Sequence, residues 1–204
     1  MSEPPTLNSA ERDVVLQLAS DSIRTQLATG HPLTINQAEY TPILQRETAT
    51  FVTLLLDGQL RGCCGSVLPV EPLVVNVGRS ASSAAFHDPR FESLMPNELP
   101  LLELHVSLLS HPLPIHYQDE SDLLSQLRPD TDGLILRYLS LKGVFLPSVW
   151  KHISSRSEFL NQLKIKAGLP PIFWSSNIHV QRFTVEEIVG NAADYLNQAA
   201  AGHS

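Results

Sequence analysis

From position 10 to position 28, apolar residues recur at helical spacing: Val15, Ala19, Ile23 and Leu27 fall four apart, with Leu16 beside them. The pattern predicts a helix from about Ala10 to Ala28. Asn8 or Ser9 caps it, Asn8 and Glu11 have capping-box spacing, and Gly30 sits where the helix should end. Periodicity then lapses around Pro32 and Pro42, so Gly30 to Thr48 reads as a connection. Ala49 to Leu56 and Gln59 to Val67 are two apolar-rich runs separated by Asp57-Gly58. That dipeptide favours a type I′ hairpin, whose two turn positions both need positive φ. A second helix is expected after Pro72, with Val74, Val75, Val77, Ala81, Ala84 and Ala85 on its apolar side. The small residues let it lie close against a sheet, and Pro89 forbids helix at Asp88. Leu102, Leu104, Val106 and Leu108 alternate with Glu103, His105 and Ser107, the period of a half-buried strand.

Further along, a short helix is expected around Ser121 to Leu127. A strand pair follows, Gly133 to Leu139 and Gly143 to Val149, turning through Ser140 to Lys142. A helix over about Ser157 to Ala167 is stopped by Gly168, and Asn177 to Phe183 reads as strand. Thr184-Val-Glu-Glu187 has capping-box form and predicts a last helix, weakened at Gly190. The ends, 1–8 and 198–204, are expected to fray. Helices and strands do not alternate strictly. The predicted class is therefore α+β: a mainly antiparallel sheet covered by helices, with a smaller second lobe, in one domain spanning 1–204.

Parity in the hairpin makes a checkable geometry. A two-residue turn puts Leu54 opposite Arg61 and Val52 opposite Cys63. Arg61, Cys63 and Val67 then share one face, while Leu60, Cys64 and Ser66 share the other.

The chain has 204 residues and a formal charge of −7, with 43% hydrophobic and 17% charged residues, a globular composition. The acidic balance argues against nucleic-acid binding. One stretch runs the other way: from Arg137 to Lys166 six Lys or Arg face only Glu158, after an acidic run from Asp119 to Asp132. Tyr138, Phe145 and Trp150 would be the stacking groups if that stretch met RNA; two solvated surfaces of opposite sign are the plainer reading. Met1 to Ala10 lacks a signal-peptide pattern, and no apolar run is long enough to span a bilayer, so no membrane is expected. The two cysteines are adjacent and cannot form a disulfide framework, which reads as a cytoplasmic, thiol-reduced protein. The eight histidines show no metal-ligand spacing and phosphate-loop motifs are absent, so no metal is expected and the cofactor is unknown.

Candidate chemistry centres on Leu60-Arg-Gly-Cys-Cys-Gly65. Two glycines in a strand imply that a backbone or a ligand comes close, which makes Gly62 and Gly65 candidate ligand-binding positions. Arg61 has the parity to lower the thiol pKa of Cys63 and favour its thiolate. Cys63 is thus the candidate nucleophile, with Arg61 and His87 as companions; a small buried packing residue is the alternative. In His87-Asp88-Pro89-Arg90, histidine beside aspartate could supply a base. Asp88 accepting local amides and Arg90 pairing with a carboxylate is the structural reading, and Asp88 and Arg90 are also candidate ligand-binding residues.

Five segments in order resemble the AMMECR-like family, also called AmmeMemoRadiSam system protein A. They are Leu60-Arg-Gly-Cys-Cys-Gly65, Asp88-Pro-Arg-Phe91, Asp132-Gly-Leu-Ile-Leu136, Gly143-Val-Phe-Leu-Pro147 and Lys166-Ala-Gly-Leu169. The resemblance runs from about Glu11 to Phe183. It implies a compact α+β domain and, as partners, a MEMO-like protein and a radical S-adenosylmethionine enzyme; it implies no particular reaction. It puts Cys63 at the family's cysteine position and makes Cys64, where the family has an aliphatic residue, the packing residue. The family's cysteine before the KAGL-like segment is replaced here by Lys164 and Ile165, so no role for a second thiol carries over.

Overall fold

A computed structural model describes residues 4–153 and 155–196, and they form two compact units, 5–109 with 186–196 and 110–185. Helix α1 (Ser9–Thr29) starts as its sequence predicts. The Asn8 side chain accepts from the Glu11 N–H at 2.9 Å, and the Asn8 N–H donates to the Glu11 carboxylate at 3.0 Å. Gly30 ends it in the left-handed region at φ 75°.

Strands β1 (Thr50–Leu56) and β2 (Gln59–Gly65) form the predicted hairpin, with Asp57 at φ 50° and Gly58 at φ 72°. Helix α2 (Leu73–Phe86) and strand β3 (Leu102–Leu109) follow. The sheet of this first unit runs β2-β1-β3-β8, where β8 is Val185–Asn191. Helices α1 and α2 bury their apolar stripes with Val52, Leu54, Leu104 and Val106 in one core. Cys64 packs against that core, as its departure from the family pattern implied.

Strand β8 is a correction. Thr184-Val-Glu-Glu187 does not open a helix, and among the described residues the helix beyond it is α5 (Ala193–Leu196). Its two glutamates make long-range contacts instead: Glu186 pairs with Arg12 and Glu187 with His105. Ile188 is buried, and Gly190 lies where a Cβ would meet the Leu16 side chain at 2.8 Å. The free edge of β3 outweighs the local helix signal, and β-branched Val185, Ile188 and Val189 suit it. Of the ends expected to fray, 1–3 and 198–204 lie outside the described residues, while Leu7 is buried and Asn8 caps α1.

In the second unit the sheet order is β4-β7-β5-β6, with β4 (Leu113–Pro114), β5 (Gly133–Tyr138), β6 (Leu141–Phe145) and β7 (His179–Phe183). Helices α3 (Glu120–Gln126) and α4 (Arg156–Lys166) accompany it. The β5–β6 turn is tighter than expected, using Leu139 at φ 52° and Ser140. Strand β6 stops at Phe145, and Pro147–His152 is a 3₁₀ turn rather than more strand, because proline cannot donate to a ladder. Trp150 is buried, stacks on Phe159 at 3.7 Å and donates to the Asp132 carbonyl at 2.8 Å. Lys164 is fully buried, bonded to Glu120 and, at 3.1 Å, to the Pro171 carbonyl. Neither is therefore a surface group, so Trp150 drops out as a stacking group and Lys164 as a surface cation of the basic stretch.

Candidate functional site

Hairpin register decides where the candidate chemistry points. Leu56 opposes Gln59 and Leu55 opposes Leu60, as a two-residue turn requires; then Leu54 opposes Gly62, Thr53 opposes Cys63 and Val52 opposes Cys64. Arg61 is the extra residue of a β-bulge, so the predicted pairs Leu54 with Arg61 and Val52 with Cys63 do not form. The reason is burial. Leu54 and Val52 face the core under α2, and the unbulged register would push the Arg61 guanidinium into it. One added residue puts Gly62 and Cys64 on the core side and Cys63 on the other, which Leu60 joins, contrary to the simple parity.

The glycines answer the question of what comes close. A Cβ at Gly62 would lie 2.1 Å from the Ala84 carbonyl oxygen, and one at Gly65 would lie 2.2 Å from the Thr50 carbonyl oxygen. Both therefore meet this chain's own backbone, which by itself accounts for the two glycines.

Around Cys63 the corner after α2 folds inward. Asp88, its side chain 3% exposed, accepts from the Cys63 N–H at 2.9 Å, tying the corner to β2. The same carboxylate accepts from the Arg90 N–H at 3.1 Å, its Nε at 2.9 Å and its Nη2 at 2.7 Å. Arg90 chiefly, then the Cys63 and Arg90 N–H groups, hold the Asp88 carboxyl well below the usual carboxylate range. Arg90 itself is 55% exposed and its guanidinium lies over the Phe91 ring at 5.4 Å. It is oriented from one side and open on the other.

Arg61 belongs to a different clasp. Its Nε and Nη2 donate to the Glu98 carboxylate at 2.7 and 3.0 Å, and Nη1 donates to the Glu92 carbonyl at 2.9 Å. Glu98 also accepts from the Met95 N–H. The guanidinium fastens the 92–98 segment to β2 and is not what acts on the thiol. Burial pushes the half-buried Cys63 thiol up; a hydrogen bond from the Thr53 hydroxyl at 3.3 Å and the charge of Arg90 oppose that without prevailing. The expectation of an Arg61-lowered thiol is overturned, with Arg90 as the nearby cation. His87 stands exposed at the end of α2, and among the described residues its side chain makes no hydrogen bond to Cys63. Nothing in the geometry supports the Cys63/His87 pairing.

Alkylation of Cys63 should accordingly titrate above the ordinary thiol value of about 8.5. Arg90→Gln should move the midpoint higher still, because it removes a charge that favours the thiolate. Iodoacetamide rates against pH, followed by mass spectrometry of the 59–65 peptide, test this; a midpoint below the ordinary value would refute it.

Sequence reasoning did not find Thr53, Glu98 or the placement of His105. Thr53 lies between Cys63 on β2 and His105 on β3, and His105 is bracketed by Glu103 at 2.6 Å and Glu187 at 3.2 Å. The only available signal was the polar alternation of β3. Among the described residues no group of three or more His, Cys, Asp or Glu is placed to hold a metal ion, and no helix is long and apolar enough to cross a membrane.

Family comparison now adds to this geometry. The AMMECR1 family matches residues 16–188, most of the chain. The chain belongs to the AMMECR1 family. A relative from Methanothermobacter thermautotrophicus is 37% identical over 146 residues, which cover 71% of this chain and 76% of the relative. One from Sulfolobus acidocaldarius is 34% identical over 189 residues, covering 87% and 82%. The crystal structure of the uncharacterized protein PH0010 from Pyrococcus horikoshii is 30% identical, with a TM-score of 0.81 over 89% of this chain and 92% of that one. The α+β architecture is thus that of an AMMECR1-family domain, a family of uncharacterised function.

Proposed function

We propose that this AMMECR1-family protein is an accessory component that captures an anionic group of a protein partner at the corner formed by Cys63, Asp88 and Arg90. The observation that carries the reading is the state of Arg90: held on one edge by a buried carboxylate, exposed on the other, beside a thiol that burial keeps protonated. A pre-oriented guanidinium suits bidentate recognition of a carboxylate, and orienting it in advance reduces the entropic cost of binding. Arg61 lends no second charge, since Glu98 neutralises it. The raised thiol favours recognition over nucleophilic catalysis. The resemblance names the partners to try: a MEMO-like protein and a radical S-adenosylmethionine enzyme, in the cytoplasm.

Binding of the purified MEMO-like protein, measured by calorimetry, provides the test. Arg90→Gln should weaken it about tenfold or more, the range of one charge-assisted contact. Cys63→Ser should leave it within about threefold. Binding that survives Arg90→Gln but is lost with Cys63→Ser would overturn the reading in favour of a reaction at sulfur.

A further inference from the structure

A second cluster of polar side chains lies in the 110–185 unit, on residues the resemblance gives no role. Strand pairing sets Arg137 on β5 directly opposite Lys142 on β6 and directly opposite His179 on β7. Directly paired residues project from the same sheet face, with Cα atoms about 4.5–5.5 Å apart. Three basic groups therefore stand in a row across three adjacent strands, all exposed. Two fixed like charges directly opposite one another are unfavourable. Burial chiefly, and then the charge of Arg137, lower the Lys142 pKa, so the repulsion is felt. Neither Arg137 nor Lys142 forms an ion pair among the described residues, although the chain carries a net charge of −7 and pairs other cations freely.

The row ends at a cleft. His179 also lines a pocket of about 440 Å³ between β4 and β7, together with His116, Tyr117, Ser176 and Gln181. Gln181 opposes Ile135 in the ladder, two residues from Arg137, and so shares the face of the row. Uncompensated charge thus adjoins a concave space with hydrogen-bonding groups. Two cations at one strand spacing match a dianion better than a single carboxylate, which would neutralise only one of them.

We infer that Arg137, Lys142 and His179 bind the phosphoryl group of a small phosphorylated molecule whose remainder occupies the cleft beside His179. The site is independent of the Cys63 corner and would stand if that reading failed. Inorganic pyrophosphate is the first probe, titrated calorimetrically into the full chain at constant ionic strength set with sodium chloride. Saturable binding is expected. Arg137→Gln and Lys142→Gln should each weaken it about tenfold or more. Both side chains are exposed, so both variants should fold, which circular dichroism checks. Adenosine 5′-monophosphate against inorganic phosphate then distinguishes sources: tighter nucleotide binding, lost with Gln181→Ala, supports an organic moiety in the cleft, and equal affinities support a free phosphoryl anion. Absence of saturable pyrophosphate binding, or binding indifferent to both substitutions, overturns the site. Tighter binding of a single-stranded oligonucleotide, with steep salt dependence, would overturn the small-molecule assignment.

Discussion

Gly62→Ala should destabilise the 5–109 unit by about 3 kcal/mol or more, lowering the melting temperature by ~6–12 °C for a chain of this size. The new methyl carbon would sit 2.1 Å from the Ala84 carbonyl oxygen and 3.0 Å from its carbonyl carbon. Both are helix backbone, so no rotamer change can relieve the clash. Helix α2 would have to lift from β1 and β2, exposing Ala81, Ala84 and Leu54, which are now buried. Gly58→Ala is the control. Gly58, unlike Gly62, has positive φ (72°), and nothing lies within 4 Å of its Cβ position, so only the left-handed penalty of about 1 kcal/mol applies. Hydrogen exchange should localise the Gly62 effect to β2 and α2. Both tryptophans lie in the 110–185 unit, so tryptophan fluorescence alone would miss it. A melting point unchanged in Gly62→Ala would mean that α2 does not rest on this glycine.

The same contact shows how far the sequence could be read. Two glycines around the cysteine pair signalled a close approach, and backbone does come close at both; which backbone approaches depends on the hairpin register. Register in turn depended on a bulge that no local pattern announces. It exists because Arg61 cannot share a face with Leu54 and Val52, a tertiary constraint. Helices α1 and α2 and the type I′ turn were legible because caps, glycines and apolar stripes act over a few residues. Strand β8 was not, because a capping-box spelling competed with an open strand edge more than seventy residues away in sequence. Glu98 was invisible for the same reason: it lies 37 residues from the arginine it neutralises. Short-range chemistry was written plainly, and partner choice was not. That is why the cation beside Cys63 proved to be Arg90 instead of Arg61.

Asp88→Asn should separate the corner's architecture from its charge. The wild-type carboxylate accepts four hydrogen bonds, three of them from Arg90 and one from the Cys63 N–H. The amide keeps the shape but loses the ion pair and turns one acceptor into a donor. A loss of about 2–4 kcal/mol at neutral pH follows, the range for breaking a buried charge-assisted network. Its pH dependence has a definite sign. The folded carboxyl titrates well below the unfolded value near 3.9, so its contribution is full above that value and disappears as pH falls toward the folded one. The stability gap between wild type and Asp88→Asn should therefore be constant from about pH 7 to pH 5 and narrow steadily below about pH 4. Urea unfolding followed by far-ultraviolet circular dichroism at pH 7, 5, 3 and 2 would measure it. A gap that persists undiminished at pH 2 would show that Asp88 acts through shape alone, and the charge-held orientation of Arg90, on which partner capture rests, would fail with it.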